Sequence, residues 1–459
     1  MSATDITSRD VYTIKEEKKE LYLGHNYRLG KNGCEKDEKK AFEIYKKLSD
    51  NGNVMAKFQL GYCYDYGIGV EVNEKLAFEL YQESAEGNNT QAQNNIGICY
   101  ELGMGTEKNI EKAVYWYEKA GNNKHALCNL GSCYKYGKGV EKDEVKAFEL
   151  YKKSADQDFL NAQYQLGDCY DNGIGTDVDK KKAYDFYHIA AEAGHIDAQK
   201  CLGTLYEYGE GIDKDLDKAF YWYQKSFEQG NKAAQCKLGD FYRSGKSVEK
   251  DEKKAFEIYK ELADTGYLNA QLKLGWCYDY GVGTDMSKSK AYELYKLIAD
   301  QGDSTGELNL GICYLYAYGV ERDVDKAIYW YQRAADKGNN IAQFNLGKCY
   351  EIGVGVDEDF GKAFELYLKS AEQQYEEAQI SVGLAYERGQ GVEKDLNKAI
   401  YWYKKAVENG SQEAQENLEH LEQLLDRQNK AQKNLDPLLN DKEVQESLDI
   451  LTESNESSE

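Results

Sequence analysis

The sequence predicts an all-α fold, an α/α superhelical solenoid of about eleven helix–turn–helix repeats with a period of 36 residues. Three observations predict it. A glycine recurs at Gly24, Gly61, Gly97, Gly131, Gly167, Gly203, Gly239, Gly275, Gly311, Gly347 and Gly383, at a constant spacing of 36 from Gly131 onward and in steps of 37, 36 and 34 before it. Two apolar stripes at helical spacing accompany each glycine, as in Ala234, Leu238 and Tyr242, and in Ala219, Tyr223 and Phe227. A helix-starting side chain then stands four residues before the alanine of every second stripe. Units of this kind have no core of their own and gain one by stacking.

Each element follows from its residues. The first helix carries the repeat glycine beside its apolar stripe. A glycine inside a helix costs about 0.5–1 kcal/mol, so its recurrence is read as a close approach by the second helix. A turn with two glycines follows, as at Gly209-Glu210-Gly211. The second helix is expected to start at Asp37, Asn73, Asn109, Asp143, Asp179, Asp215, Asp251, Ser287, Asp323, Asp359 and Asp395, whose side-chain oxygens can each satisfy an orphan N–H. It stops at a glycine after its last turn, at Gly52, Gly194, Gly230, Gly266, Gly302, Gly338 and Gly410. One tyrosine ladder lies three residues after each glycine, from Tyr27 and Tyr64 to Tyr386. A second lies four after each repeat alanine, from Tyr45 and Tyr81 to Tyr403. Aromatic residues at helical spacing are read as core, with hydroxyls reaching its edge for a partner.

The pattern Leu-Gly-x-x-Tyr, a Gly-x-Gly turn, Asp, then Lys-Ala-x-x-(Trp/Leu)-Tyr and Ala-Gln resembles the Sel-one-like repeat (SLR) family, a relative of the tetratricopeptide repeats (TPR). The resemblance covers Leu23 to about Leu418. It implies a TPR-like array of paired antiparallel helices wound into a right-handed superhelix and an adaptor role in protein complexes. It brings no catalytic residues.

Along the chain, residues 1–11 are expected to be a disordered N-terminus and 12–410 the repeat array. Tyr-Trp-Tyr recurs in the second helices at Tyr115-Tyr117, Tyr221-Tyr223, Tyr329-Tyr331 and Tyr401-Tyr403. The first three of these come every third repeat, as if a three-repeat cassette had been duplicated. From Gln412 the glycines stop, and Leu418, Leu421, Leu424 and Leu425 continue a longer amphipathic helix. Residues 411–435 are read as a capping helix, with a docking segment as the alternative and Pro437 as its end. Residues 436–459 hold eight acids and one lysine and are expected to be a disordered acidic tail.

The formal net charge of −23 argues against nucleic acid and anionic membrane surfaces as partners. Residues 1–10 lack the apolar core of a signal peptide, and no run approaches the length of a spanning helix. The end Asn455 to Glu459 has no prenylation box, which weakens an analogy to prenylated fungal members of the family. Of the eleven cysteines, seven occupy one repeat position, Cys63, Cys99, Cys133, Cys169, Cys277, Cys313 and Cys349. The family resemblance includes secreted members that pair two cysteines per repeat. One per repeat suits reduced thiols and a cytoplasmic setting, with a nuclear one as the alternative. No Cys-x-x-Cys occurs, so zinc is not expected.

The Gly-x-Gly turns recur in nearly every repeat without a preceding strand or a following Lys-Ser/Thr, and are read as turns. The five histidines share no repeat position. His188 and His195 straddle a predicted helix end, so neither a metal site nor a cofactor site is expected. Nothing resembles a nucleophile with an ordered base. A lysine precedes the repeat alanine in ten of eleven copies, Leu76 being the exception. A cation near a helix N-terminus opposes the dipole, so something else must favour it. A stem covering the inter-helix seam, or pairing with nearby acids, is the expectation.

The remaining candidate is the first-helix face, which lines the groove in TPR-like arrays. Four after the repeat glycine stand Asp65, Glu101, Asp171, Glu207, Asp279, Glu351 and Glu387, interrupted by Arg28, Lys135, Arg243 and Leu315. One further on stand Tyr66, Tyr136, Tyr208, Tyr280 and Tyr316. Carboxylates beside tyrosines suit a basic or mixed extended protein segment, with tyrosine supplying contact area. The sequence thus predicts a non-enzymatic interaction scaffold, in signalling or protein quality control. The alternatives are a regulatory partner of a kinase or other enzyme and, through a proposal made for some secreted bacterial relatives, a hydrolase.

Overall fold

In a computed structural model, residues 8–439 are described. Residues 1–7 and 440–459, which carry most of the two segments expected to be disordered, lie outside the described residues. The described residues form 23 helices and no strand. Residues up to Phe241 with Lys246–Val248 make one compact unit. Tyr242–Gly245 and the residues from Glu249 on make a second.

Unit 1 contains α1 (Ser8–Leu29), α2 (Glu38–Asp50), α3 (Val54–Tyr66), α4 (Glu74–Glu86), α5 (Thr90–Leu102), α6 (Ile110–Lys119), α7 (Lys124–Tyr136), α8 (Glu144–Ala155), α9 (Leu160–Asn172), α10 (Lys180–Glu192), α11 (Ile196–Tyr208), α12 (Leu216–Glu228) and most of α13 (Lys232–Ser244). Unit 2 contains α14 (Glu252–Asp264), α15 (Leu268–Tyr280), α16 (Lys288–Asp300), α17 (Ser304–Tyr316), α18 (Val324–Asp336), α19 (Asn340–Ile352), α20 (Phe360–Glu372), α21 (Glu376–Arg388), α22 (Leu396–Glu408) and α23 (Gln412–Leu439). Odd-numbered helices are first helices and even-numbered ones second helices. Within each unit a first helix such as α3 packs on the second helix of its own repeat, α4, and on that of the repeat before, α2. The result is an all-α solenoid.

The expected second-helix caps form in every copy, each side chain accepting from the backbone N–H three residues on, as Asp215 does from Lys218. First helices are capped too, by Asn53, Asn89, Asn123, His195, Asp303 and Asn339, which the sequence pattern had not assigned. The short step of 34 has its cause in α6, which has 10 residues where α4 and α12 have 13. At the ends, α1 begins at Ser8, inside the segment expected to be disordered. Helix α23 runs to Leu439, past Pro437, where the sequence placed its end. Proline gives up one intrahelical bond, but its fixed φ is helical. Ala414, Leu418 and Leu421 of α23 are buried in one core with Tyr403, while Leu424 is exposed.

The repeat glycine does what the sequence required. A Cβ on Gly203 would stand 2.8 Å from the Tyr223 ring, and one on Gly61 2.9 Å from Tyr81. Ladder tyrosines Tyr81, Tyr151, Tyr223 and Tyr403 are wholly buried. The other ladder is half-buried, or buried at Tyr134, Tyr206 and Tyr386, and joins successive repeats, with Phe78 edge-on to Tyr100 at 5.4 Å and Phe148 edge-on to Tyr170 at 5.4 Å. In the turn, Gly209 takes the left-handed conformation at φ 75°, and a Cβ on Gly211 would overlap the Lys180 carbonyl of the preceding repeat.

The lysine before each repeat alanine has a specific partner. Lys40, Lys112, Lys146, Lys182, Lys218, Lys254, Lys290, Lys326, Lys362 and Lys398 each hold their ammonium 3.9–5.4 Å from the ring of the tyrosine three after the glycine in the same repeat. The cation faces the π-cloud, and several also pair with the capping carboxylate, as Lys326 does with Asp323 at 2.9 Å. This attraction offsets the unfavourable dipole.

The cysteines at the repeat position are buried, with no disulfide among the described residues. Burial pushes the Cys63 and Cys349 thiols up to about 11.

His195 gives the fold a pH dependence. Its Nδ1 accepts from the Ala198 N–H at 3.2 Å, so the ring caps α11 only when that nitrogen is unprotonated. Burial lowers its pKa from 6.5, against a smaller opposing effect of Asp197. The unfolded chain therefore binds the proton more readily. The stability due to this group is complete above the unfolded value and declines as pH falls from there through the folded value. His25 and His125 are shifted in the same direction by burial. His195→Asn keeps a cap, like Asn123, without the titration. We expect its urea-unfolding free energy to fall less than the wild type's below pH 6.5; equal slopes would show that His195 contributes nothing.

Candidate functional site: the first-helix face

Helical geometry separates the two candidate rows. At about 100° per residue, the position four after the repeat glycine lies about 40° from it, and the next lies about 140° away. The glycine faces the second helix. The carboxylate row therefore turns inward and the tyrosine row outward.

The structure shows this division. Tyr66, Tyr136, Tyr208, Tyr280 and Tyr316 are exposed, between 56% for Tyr208 and 63% for Tyr66. The carboxylates are half-buried or, at Glu207, buried. Most of them accept the hydroxyl of the buried ladder tyrosine sixteen residues on. Tyr81 donates to Asp65 at 3.0 Å, Tyr117 to Glu101 at 2.8 Å and Tyr223 to Glu207 at 2.7 Å. Tyr367 donates to Glu351 and Tyr403 to Glu387, both at 2.6 Å. Tyr187 donates to Asp171 at 3.4 Å. Burial drives these hydroxyls far above their ordinary pKa, and the carboxylates add to it, so each stays a donor. Burial also raises the Asp65 carboxyl, against the Tyr81 hydroxyl, which lowers it.

Some carboxylates are also paired with cations. Asp171 meets Lys180 at 2.7 Å, Asp279 meets Lys288 at 2.7 Å and Glu207 meets Lys237 at 3.0 Å. The second oxygens of Asp65, Glu101, Glu351 and Glu387 make no hydrogen bond within the described residues. Basic groups lie over the exposed rings as well: Lys135 over Tyr136 at 5.2 Å, Lys237 over Tyr208 at 5.2 Å and Lys288 over Tyr280 at 5.4 Å. Each unit thus presents exposed tyrosines amid both charges, with the acids held in place from behind.

The spacing of sixteen between acid and ladder tyrosine was present in the sequence but carried no meaning until the two helices were placed. Exposed Leu102 and Ile352 occupy the tyrosine position in other repeats and extend the apolar row. Among the described residues no group of three or more His, Cys, Asp or Glu could hold a metal ion. No described helix is long and apolar enough to cross a membrane.

Fold and face together define a helical-repeat solenoid, a class that generally serves as a protein–protein interaction scaffold. The chain belongs to the Sel1 repeat family: the family model matches residues 20–53, 54–89, 90–125, 124–159, 160–195, 196–231, 232–267, 268–303, 304–339, 340–375 and 376–411. Such solenoids are typically non-catalytic. No curated protein matches the chain. Among solved structures it is similar to c5321, a protective antigen present in uropathogenic Escherichia coli strains that displays an SLR fold. That likeness is 32% identical over 91% of each chain, with a TM-score of 0.59. It is also similar to a Sel1 repeat protein from Oxalobacter formigenes, 32% identical over 53% of this chain and 96% of that one, with a TM-score of 0.48.

Proposed function

We propose that the protein is a non-enzymatic adaptor that binds an extended protein segment of basic or mixed charge along the groove formed by its first helices. Its setting in this reading is cytoplasmic, in signalling or protein quality control. The row of exposed tyrosines carries the reading. A ring more than half exposed at the same position in repeat after repeat adds nothing to the core, whereas tyrosine at an interface buries a large area at low entropic cost. The carboxylates support it. They are fixed by the buried hydroxyls, and four keep an oxygen for a partner's cation.

Reversing charges at Asp171, Glu207 or Asp279 is a poor test, because Glu207 is buried and all three hold internal partners. The tyrosines can be changed cleanly. Serine at Tyr66, Tyr136 and Tyr208 together is expected to leave helix content unchanged and to abolish capture of the proteins that co-purify with the wild type. Undiminished capture of every partner would sink the assignment of this face.

A further inference from the structure

The inward row breaks at four places, and only one break is apolar. Arg28 stacks on Tyr62 at 5.1 Å, Lys135 pairs with Asp168 and Arg243 stacks on Trp276 at 4.9 Å. The fourth break is Leu315, in α17. Tyr331, the ladder tyrosine sixteen residues on, is 1% exposed, and its hydroxyl has no hydrogen-bond partner among the described residues. An open cleft of about 710 Å³ lies at this position, within unit 2.

The wall of the cleft is apolar at Ile312, Leu315, Ile352 and Val354, with Tyr316 and Tyr331 beside them. Asn345 and Cys349 also line it, and it carries two cations, Arg322 and Lys348. Arg322 Nε donates to the Leu315 carbonyl at 3.1 Å, which fixes the guanidinium while its other nitrogens stay uncommitted. Lys348 lies 5.6 Å from the Phe344 ring. Neither cation has a carboxylate partner among the described residues. In a chain of net charge −23, two unpaired cations flanking an apolar cleft run against the prevailing charge. No carboxylate lines the cleft.

We infer that this cleft is an anchor site for an acidic protein segment that places a branched apolar side chain between carboxylates. The apolar side chain fills the space bounded by Leu315 and Ile352. Its neighbouring carboxylates meet Arg322 and Lys348, and the Tyr331 hydroxyl donates to the remaining oxygen. The inference rests on the adaptor reading and deepens it, since it gives one repeat a preference for acid in a row made mostly of carboxylates.

The test is fluorescence anisotropy of the full chain with three short labelled peptides. The first has a central leucine flanked by aspartates, the second lysine for each acid, and the third serine for each apolar residue. The first should bind at least about tenfold tighter than either control, and should weaken with salt as a charged contact does. Leu315→Glu gives Tyr331 the partner its counterparts have and fills the cleft with negative charge. Lys348→Glu changes an exposed side chain that makes no ion pair among the described residues. Each should weaken the first peptide about tenfold or more. Equal binding of the three peptides, or a first peptide indifferent to both variants, overturns the cleft assignment. Capture lost in the Tyr66, Tyr136 and Tyr208 variant while the peptide ignores both cleft variants overturns the cleft alone. Capture unchanged in that variant, with the peptide sensitive to the cleft, retains the cleft and removes the extended tyrosine face.

Discussion

Gly203→Val is expected to lower the stability of unit 1 by about 3 kcal/mol, at the upper end of what overpacking a core costs. The added carbons have nowhere to go. A Cβ alone would stand 2.8 Å from two ring carbons of Tyr223, and that ring is wholly buried against Phe241 with its hydroxyl tied to Glu207. Gly203→Ala is milder, because alanine recovers about 0.5–1 kcal/mol of helix propensity against a smaller clash. The contact makes the effect reciprocal. Adding Tyr223→Leu to Gly203→Val should restore part of the loss, although Tyr223→Leu by itself destabilises. Gly361→Ala is the control, since that glycine in α20 meets only the Asp359 carboxylate, at 3.3 Å, and the exchange there should cost less than at Gly203. Repeat arrays need not unfold in one step. Hydrogen exchange across α11 and α12 should therefore accompany urea melts. Equal effects of alanine at 203 and 361 would refute the close-approach account.

Removing Arg333 and Lys337 together, as Arg333→Met with Lys337→Met, should cost about 3 kcal/mol or more. Glu307 is 0% exposed, and its Oε1 accepts from Arg333 at 2.7 Å and Lys337 at 2.8 Å. Both cations are 38% exposed, so either alone can still neutralise the carboxylate. Without both, a charge is left buried and uncompensated. The loss is the desolvation of Glu307 and not the sum of two surface ion pairs. Glu307→Gln in the same background should recover most of it. Glutamine stands at this position in other repeats, where Gln343 donates to the Ala335 carbonyl at 3.2 Å and accepts from Gln373 at 2.8 Å. Thermal or urea unfolding of the single, double and triple variants measures the coupling. A double variant as stable as either single one would show that water already reaches Glu307.

The parts of the candidate site differ in how far the sequence disclosed them. The tyrosine row was legible, because residues five after the glycine point away from the second helix by helical geometry alone. The carboxylate row was legible as a row, but its role was not. Asp65 and Glu351 look like free surface acids until the hydroxyls of Tyr81 and Tyr367 are placed behind them. For the lysine ladder the sequence suggests a seam-covering stem or pairing with acids; several lysines do pair with the capping carboxylate, and the partner the sequence does not show is a ring in the preceding helix. The cleft beside Leu315 shows in the sequence only as an interruption of the acidic row, since an empty volume leaves no mark there.

The sequence by itself determined the period, the two helices of each repeat, the capping residue that starts each second helix and the glycine that lets the helices meet. These rest on contacts within about one helical turn, or on one steric requirement repeated in every copy. Tertiary structure decided which charges are spent inside the repeat and which remain for a partner. Those pairings join residues sixteen or thirty apart, as Tyr223 with Glu207 and Lys237 with Glu207. A side chain's availability depends on what stands across from it, and that is settled only when neighbouring helices share a core.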